Sequence, residues 1–338
     1  MSEIDQIESI LEGKLPKGTP FEPSDVWLKE YFVSSQKTSE GEDDSIVDEQ
    51  GHLGTTRRSL VPRYPKETQV VAIDSTSFTL GHIPDGLVGA IRASVIVKPA
   101  NESRWKLHRY GPHIVKVTEQ EKDSFYQQLY QATYGIQTRS SAPDLLETLD
   151  QSRNLFERFI QQKTVTDCRD SLILLDGSLS AAAVVKPSSF VTRLVEHAAQ
   201  NGNSIVAISK TTRLVLEQSR RSILSLLESI RGPCCVGGLK HYIKQNQDRY
   251  LGEIYAAKFT PFGEPFRVDV PENAPLPHDE VLNSICGLAG DWGYPEELRL
   301  AHMTCILSAI EILELQSAAI GLHQLTMKEE PRTRLFPL

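Results

Sequence analysis

Residues 69–83 read QVVAIDSTSFTLGHI and residues 171–180 read SLILLDGSLS. Each opens with a short apolar run and then meets an aspartate followed by small polar residues. An apolar run of this length is a buried strand, and an aspartate at its end marks where the chain leaves the core. Working outward from the first, LVGAIRASVIV (87–97) and HIVKVT (113–118) are two further strands, and Gly81 and Asp85-Gly86 supply turn chemistry between the first two. Three strands joined by short connections predict an antiparallel meander. Helical periodicity follows over 119–134 and 142–162, where Leu145, Leu146, Leu149, Leu155, Phe156 and Phe159 share roughly one face, with Ser141 and Pro143 as a start signal. Beyond 171–180, a helix over 190–200, a strand over 204–210 and a helix over 214–230 predict parallel βαβ units. The expected fold class is therefore α/β, a mixed sheet flanked by helices.

The flanks are different in texture. Segments 5–13 and 24–33 are expected to be short helices, and 1–33 an N-terminal helical segment outside the main domain. Residues 34–57, SSQKTSEGEDDSIVDEQGHLGTTR, are acidic and nearly free of large apolar side chains, so an acidic flexible loop is expected there. A strand or hairpin is expected over 250–259 and helices over 278–289 and 295–319. Residues 326–338 are expected to form a C-terminal tail whose Leu335, Phe336 and Leu338 are available for docking. The chain has 338 residues, enough for a sizeable core. No continuous apolar run approaches the roughly 20 residues of a membrane helix, and the N-terminus lacks a signal-peptide core, so a cytoplasmic location without membrane attachment is the expectation. The five cysteines, Cys168, Cys234, Cys235, Cys286 and Cys305, form no C-x-x-C pair, and reduced, mostly buried thiols are expected. A net charge of −8 excludes nucleic-acid binding by bulk charge, so any such binding must come from a local site.

That site is anticipated at the carboxylates. Asp74 and Asp176 share one sequence grammar, and two aspartates converging from neighbouring strands repel unless a cation lies between them. Hard oxygen ligands suit Mg²⁺ or Mn²⁺, and a pair of such ions can activate water and stabilise a leaving alkoxide in phosphodiester cleavage. The helix over 142–162 offers Glu147, Asp150 and Glu157 as a further carboxylate. His302, one to two turns into the helix that begins after Pro295, is a candidate ligand or proton shuttle. Lys210, at the end of the strand SIVAIS, is a candidate phosphate holder. Walker, dinucleotide, nucleophile-elbow and H-E-x-x-H motifs are all absent.

VVAIDSTS, LILLDGSLS, VAISKTTRL and GYPEELRLAHMTCILSAIE, in this order and spacing over about residues 65–325, resemble the NurA nuclease family. Ser75 departs from the family pattern, which more often has Gly there. The resemblance implies an RNase H-like nuclease domain over 65–325, in keeping with the order of elements. It also implies Mn²⁺-dependent cleavage of DNA, a homodimer, and partnership with a HerA-type hexameric translocase in DNA end resection. Carried over by residue, it implies Asp74 and Asp176 as metal-binding aspartates, Glu147 as the helix carboxylate with Glu157 as the alternative, and His302 as the C-terminal histidine. A catalytically inactive assembly subunit and an unrelated metal-dependent phosphoesterase are the other readings.

Overall fold

The computed structural model describes residues 3–12, 17–24, 45–47, 57–181 and 186–327. It begins with helix α1 (Glu3–Leu11) and strands β1 (Pro20–Pro23), β2 (Ser45–Val47) and β3 (Arg57–Ser59). The predicted meander follows as β4 (Gln69–Ile83), β5 (Gly86–Lys98) and β6 (Lys106–Thr118), then helices α2 (Lys122–Tyr134) and α3 (Leu145–Asp167). Next come β7 (Ser171–Asp176), α4 (Ser188–Gln200), β8 (Ser204–Ser209) and β9 (Leu214–Leu216). The chain closes with β10 (Cys234–Val236), β11 (Glu253–Lys258), β12 (Phe266–Val270), helices α5 (His278–Leu288), α6 (Glu296–Cys305) and α7 (Ala309–His323), and β13 (Thr326–Met327).

The sheet runs β6-β5-β4-β7-β8, antiparallel across the meander and parallel from β4 to β7 to β8, and β12, β11, β10 and β3 extend it antiparallel. Side chains alternate across it, as a period of two requires. Val71 and Ile73 of β4 and Ile173 and Leu175 of β7 join one core under α2, α3 and α4. Val70, Ala72, Leu172 and Leu174 join a second core with α5 and α6. The sheet is thus covered on both faces, which is why its central strands read as near-continuous apolar runs. Gly89 of β5 lets α3 come close: a Cβ there would lie 2.6 Å from Leu149.

Five expectations are altered. The run 214–230 is not a helix. Leu214 and Leu216 are buried on alternate positions of β9, which pairs in parallel with β2, and only Ile223–Leu227 makes a short 3₁₀ turn. The helix expected over 295–319 is two helices: α6 ends at Cys305, and Ser308 starts α7 through a capping box with Glu311. The stretch Glu296–His323 is long and apolar enough by composition to cross a membrane, but this break divides it. The N-terminal segment folds back on the main domain. Ile7 and Leu11 of α1 are fully buried in the first core, and β1 pairs with the far end of β4 and with β13. Finally, Asp74 and Ser75 do not sit at the end of a strand, because β4 continues for eight residues beyond Ser75. The helix expected over 24–33 and most of 34–57 and 326–338 lie outside the described residues.

Candidate metal-dependent nuclease site

Because β7 stops at Asp176 while β4 runs on to Ile83, the β4 edge has no paired strand among the described residues from Asp74 until the β1 segment takes it up at Leu80 and Gly81. This notch is where the predicted residues meet. In the parallel register Ile73 lies opposite Leu175, so Asp74 and Asp176 are the next residues along two neighbouring strands. Asp74 is almost wholly buried. Its Oδ1 accepts the Ser75 N–H at 2.8 Å, and its Oδ2 lies 2.8 Å from His302 Nδ1 on α6. Lys210, directly after β8, donates from Nζ to Asp176 Oδ2 at 3.1 Å. The structure thus pairs His302 with Asp74 and Lys210 with Asp176.

Glu147 is not. It stands exposed in the first turn of α3, where its N–H is capped by Asp144. The helix carboxylate that reaches the notch is Glu157, ten residues and about 15 Å further along the helix. Glu157 is buried, and Oε2 accepts from the Ser75 hydroxyl. Arg153 reaches the same oxygen at 3.4 Å and Ser75 Oγ at 3.3 Å, and Gln161 donates to Oε1 at 3.1 Å. Arg153, Glu157 and Gln161 are spaced four apart, so one helix face carries the whole cluster. Ser75 has a purpose that a turn residue would not: from mid-strand it anchors Glu157. Asp150 accepts from Ser77 at 2.7 Å, two residues further along β4.

Two more residues join the site. Tyr294, in the connection between α5 and α6, is partly buried, with its hydroxyl enclosed. Burial raises its hydroxyl pKa well above 10, and Asp176, Asp74 and Glu157 push the same way, so the phenol stays protonated. Lys210 Nζ lies 4.8 Å from its ring centroid. Cys305, one turn beyond His302, brings its sulfur within 4.8 Å of ligand atoms of Asp74 and His302. The Glu157 signal is visible in hindsight as a carboxylate inside the apolar run Leu155-Phe156-Glu157-Arg158-Phe159. Tyr294 and Cys305 carry no such signal.

Among the described residues, the ligand atoms that lie within 4.8 Å of one another and could hold a metal ion are those of Asp74, His302 and Cys305, and the near-complete burial of the Asp74 carboxylate gives a cation there a structural reason. A separate cleft of about 740 Å³, lined by Gln6, Gln128, Tyr134, Phe190, Arg193 and His197 among others, involves none of these carboxylates.

Comparison with known proteins bears on this arrangement. No curated protein sequence matches the chain. Among solved structures, the NurA nuclease from Sulfolobus solfataricus superposes with a TM-score of 0.53 at 15% identity, covering 81% of this chain and 90% of that one. A second NurA structure gives 0.46 at 8% identity, covering 80% and 91%. Endonuclease V from Streptomyces avermitilis gives 0.37 at 14% identity, covering 79% and 90%. The sequence itself matches the NurA domain over residues 68–305, from the start of β4 to the end of α6 and so across every element that carries the site, and the chain therefore belongs to the NurA family.

Proposed function

We propose that the protein is a metal-dependent deoxyribonuclease, hydrolysing phosphodiester bonds with Asp74, Asp176, Glu157 and His302 as the ligand set for Mn²⁺ or Mg²⁺. The observation that carries this is that Asp74 and Asp176 directly follow the last paired residues of neighbouring strands, with His302 bonded to the first and Lys210 to the second. Bound there, a divalent ion supplies an activated water and a positive charge facing the leaving oxygen. The chain's own groups do the rest. Lys210, at the solvent edge of the site, holds a phosphate oxygen as a point charge. His302 exchanges a proton at the nitrogen that faces Asp74. Tyr294, held neutral, donates a hydrogen bond. Ser75, Arg153 and Gln161 fix the Glu157 carboxylate so that it does not rotate away when the cation leaves. The manganese-containing structure of another NurA protein is in keeping with the choice of metal. Family membership supports the wider reading: a cytoplasmic homodimer that works with a HerA-type hexameric translocase in DNA end resection.

The test is cleavage of end-labelled linear DNA across divalent metals, with and without the partner ATPase, together with thermal melts. Asp74→Asn and Asp176→Asn are expected to lower cleavage at least about 100-fold. Mn²⁺ is expected to raise the wild-type melting temperature but not that of Asp74→Asn. Cleavage of a generic phosphomonoester but not DNA would favour a small-molecule phosphoesterase. A Mn²⁺-induced melting shift with no hydrolysis of either would favour an inactive assembly subunit.

A further inference from the structure

Two turns meet above the carboxyl ends of β7 and β8, where the notch opens. One, residues 260–265, joins β11 to β12. The other, residues 289–295, joins α5 to α6 and is closed by Gly293 N–H to Gly290 O at 2.8 Å and Gly290 N–H to Tyr294 O at 3.0 Å. They touch through glycines. A Cβ on Gly263 would lie 3.0 Å from the Trp292 carbonyl oxygen and 3.1 Å from Gly293 Cα, and Gly293 takes φ +81°. Any side chain at either position would separate the turns. Immediately before each glycine stands a large aromatic ring left in water: Phe262 is 93% exposed and Trp292 is 83% exposed. No other large apolar side chain among the described residues is as exposed as either. On the far side of Gly293 the chain turns inward, and the Tyr294 ring lies 4.8 Å from Lys210 Nζ, which in turn bonds Asp176. Trp292 and Tyr294 are two residues apart, so their Cα atoms are separated by at most about 7 Å.

Resting on the nuclease reading, we propose that Phe262 and Trp292 form a stacking ledge that takes unpaired nucleobases of the strand whose phosphate enters the site. Leaving two rings in water has no benefit to the fold, and a flat ring beside a phosphate-handling site offers a π-face to any base. The two rings stand on adjoining turns whose chain neighbours are small or acidic, Pro261, Gly263, Glu264, Asp291 and Gly293. A protein-docking core needs contiguous apolar surface, which this is not. Glu264 and Asp291 also repel a phosphate backbone, so a strand crossing the ledge presents its bases to it. Lys210, whose ammonium lies at the solvent edge of the site 4.8 Å from the Tyr294 ring centroid, takes the phosphate. The ledge therefore selects strands whose bases are free to unstack, such as single strands and frayed ends, over closed duplex.

The experiment uses the full-length protein in Mn²⁺ and two single-stranded oligonucleotides of about 12 nucleotides, a length within the range such grooves accommodate. One is all thymidine, and the other carries abasic sugars on both sides of the cut position. For Trp292→Ala and Phe262→Ala, KM for the thymidine strand is expected to rise about 10-fold with kcat nearly unchanged, and KM for the abasic strand to stay at the wild-type value. Trp292→Phe is expected to recover most of the loss, and the salt dependence of KM to be the same in all variants, because no phosphate contact is removed. If wild type cuts DNA while both alanine variants keep the wild-type KM for the thymidine strand, the ledge is wrong and the nuclease reading stands. The same holds if the variants change only the mass seen by light scattering, which would make the rings a protein contact. A wild-type chain that cuts neither strand in any metal overturns the nuclease reading, and the ledge falls with it.

Discussion

At the scale of single residues, the contrast between Glu147 and Glu157 is decided by rotation along α3. Both are acidic, both lie on a helix visible from its periodicity, and only the phase of that helix against β4 selects one of them. That phase is set by Leu149 pressing on Gly89 and by Ser75 bonding Glu157, contacts between residues far apart in the chain. Sequence periodicity defines the helix's apolar face but not how its polar groups align with another strand. Asp74, Asp176, Lys210 and His302 were legible because each follows from a local signal: a strand's apolar run, its exit, or a helix start at Pro295. The expected outcome is a Glu157→Gln variant reduced about 100-fold in cleavage, with Glu147→Gln within twofold of wild type and both melting as folded proteins. Equal mild effects in a metal-dependent cleavage assay would remove Glu157 from the site.

At the scale of elements, the break between α6 and α7 holds the second layer in place. Arg92 of β5, itself buried, donates to the Ile306 carbonyl at 3.3 Å at the end of α6 and to Glu311 at 2.7 Å in the first turn of α7. Glu311 also closes the capping box. The Arg92 guanidinium and the Ser308 backbone N–H hold its carboxyl at about 2, down from 4.5. A depressed carboxylate pKa contributes stability that is complete above 4.5 and disappears as pH falls toward 2. Glu311→Gln is therefore expected to melt below wild type at neutral pH, with the gap closing between pH 4.5 and 2 in paired thermal scans. A gap independent of pH would mean that Arg92 and Glu311 are not coupled. A single apolar stretch over 295–319 gave no hint of this break, since Ile306 and Leu307 continue the pattern and only Ser308 and Glu311 mark a restart. Likewise 214–230 has helical-looking leucines, yet its strand pairs with a segment more than 160 residues earlier, a partner that local propensity cannot supply.

At the scale of the whole molecule, the amino terminus is part of the domain and not an appendage. Ile7 and Leu11 are fully buried against the meander and α2, and burying two such side chains contributes on the order of 3–6 kcal/mol, a large share of a typical domain's stability. Deleting residues 1–13 is expected to lower the melting temperature and promote aggregation, where a free-standing assembly arm would leave the melt unchanged. The strand β4 has a comparable reach. It pairs with β5 along its length, with β7 over its first third and with β1 at its tip. The backbone amides of Val70–Ile73 are therefore enclosed by ladders on both sides, and local fraying cannot release them. They are expected to be among the slowest in the protein to exchange with deuterium, leaving only through global unfolding. The root of the ligand strand, up to Ile73, then has no sub-global opening of its own, and partial denaturation will leave a molecule whose edge turns exchange freely while the residues leading into Asp74 stay protected.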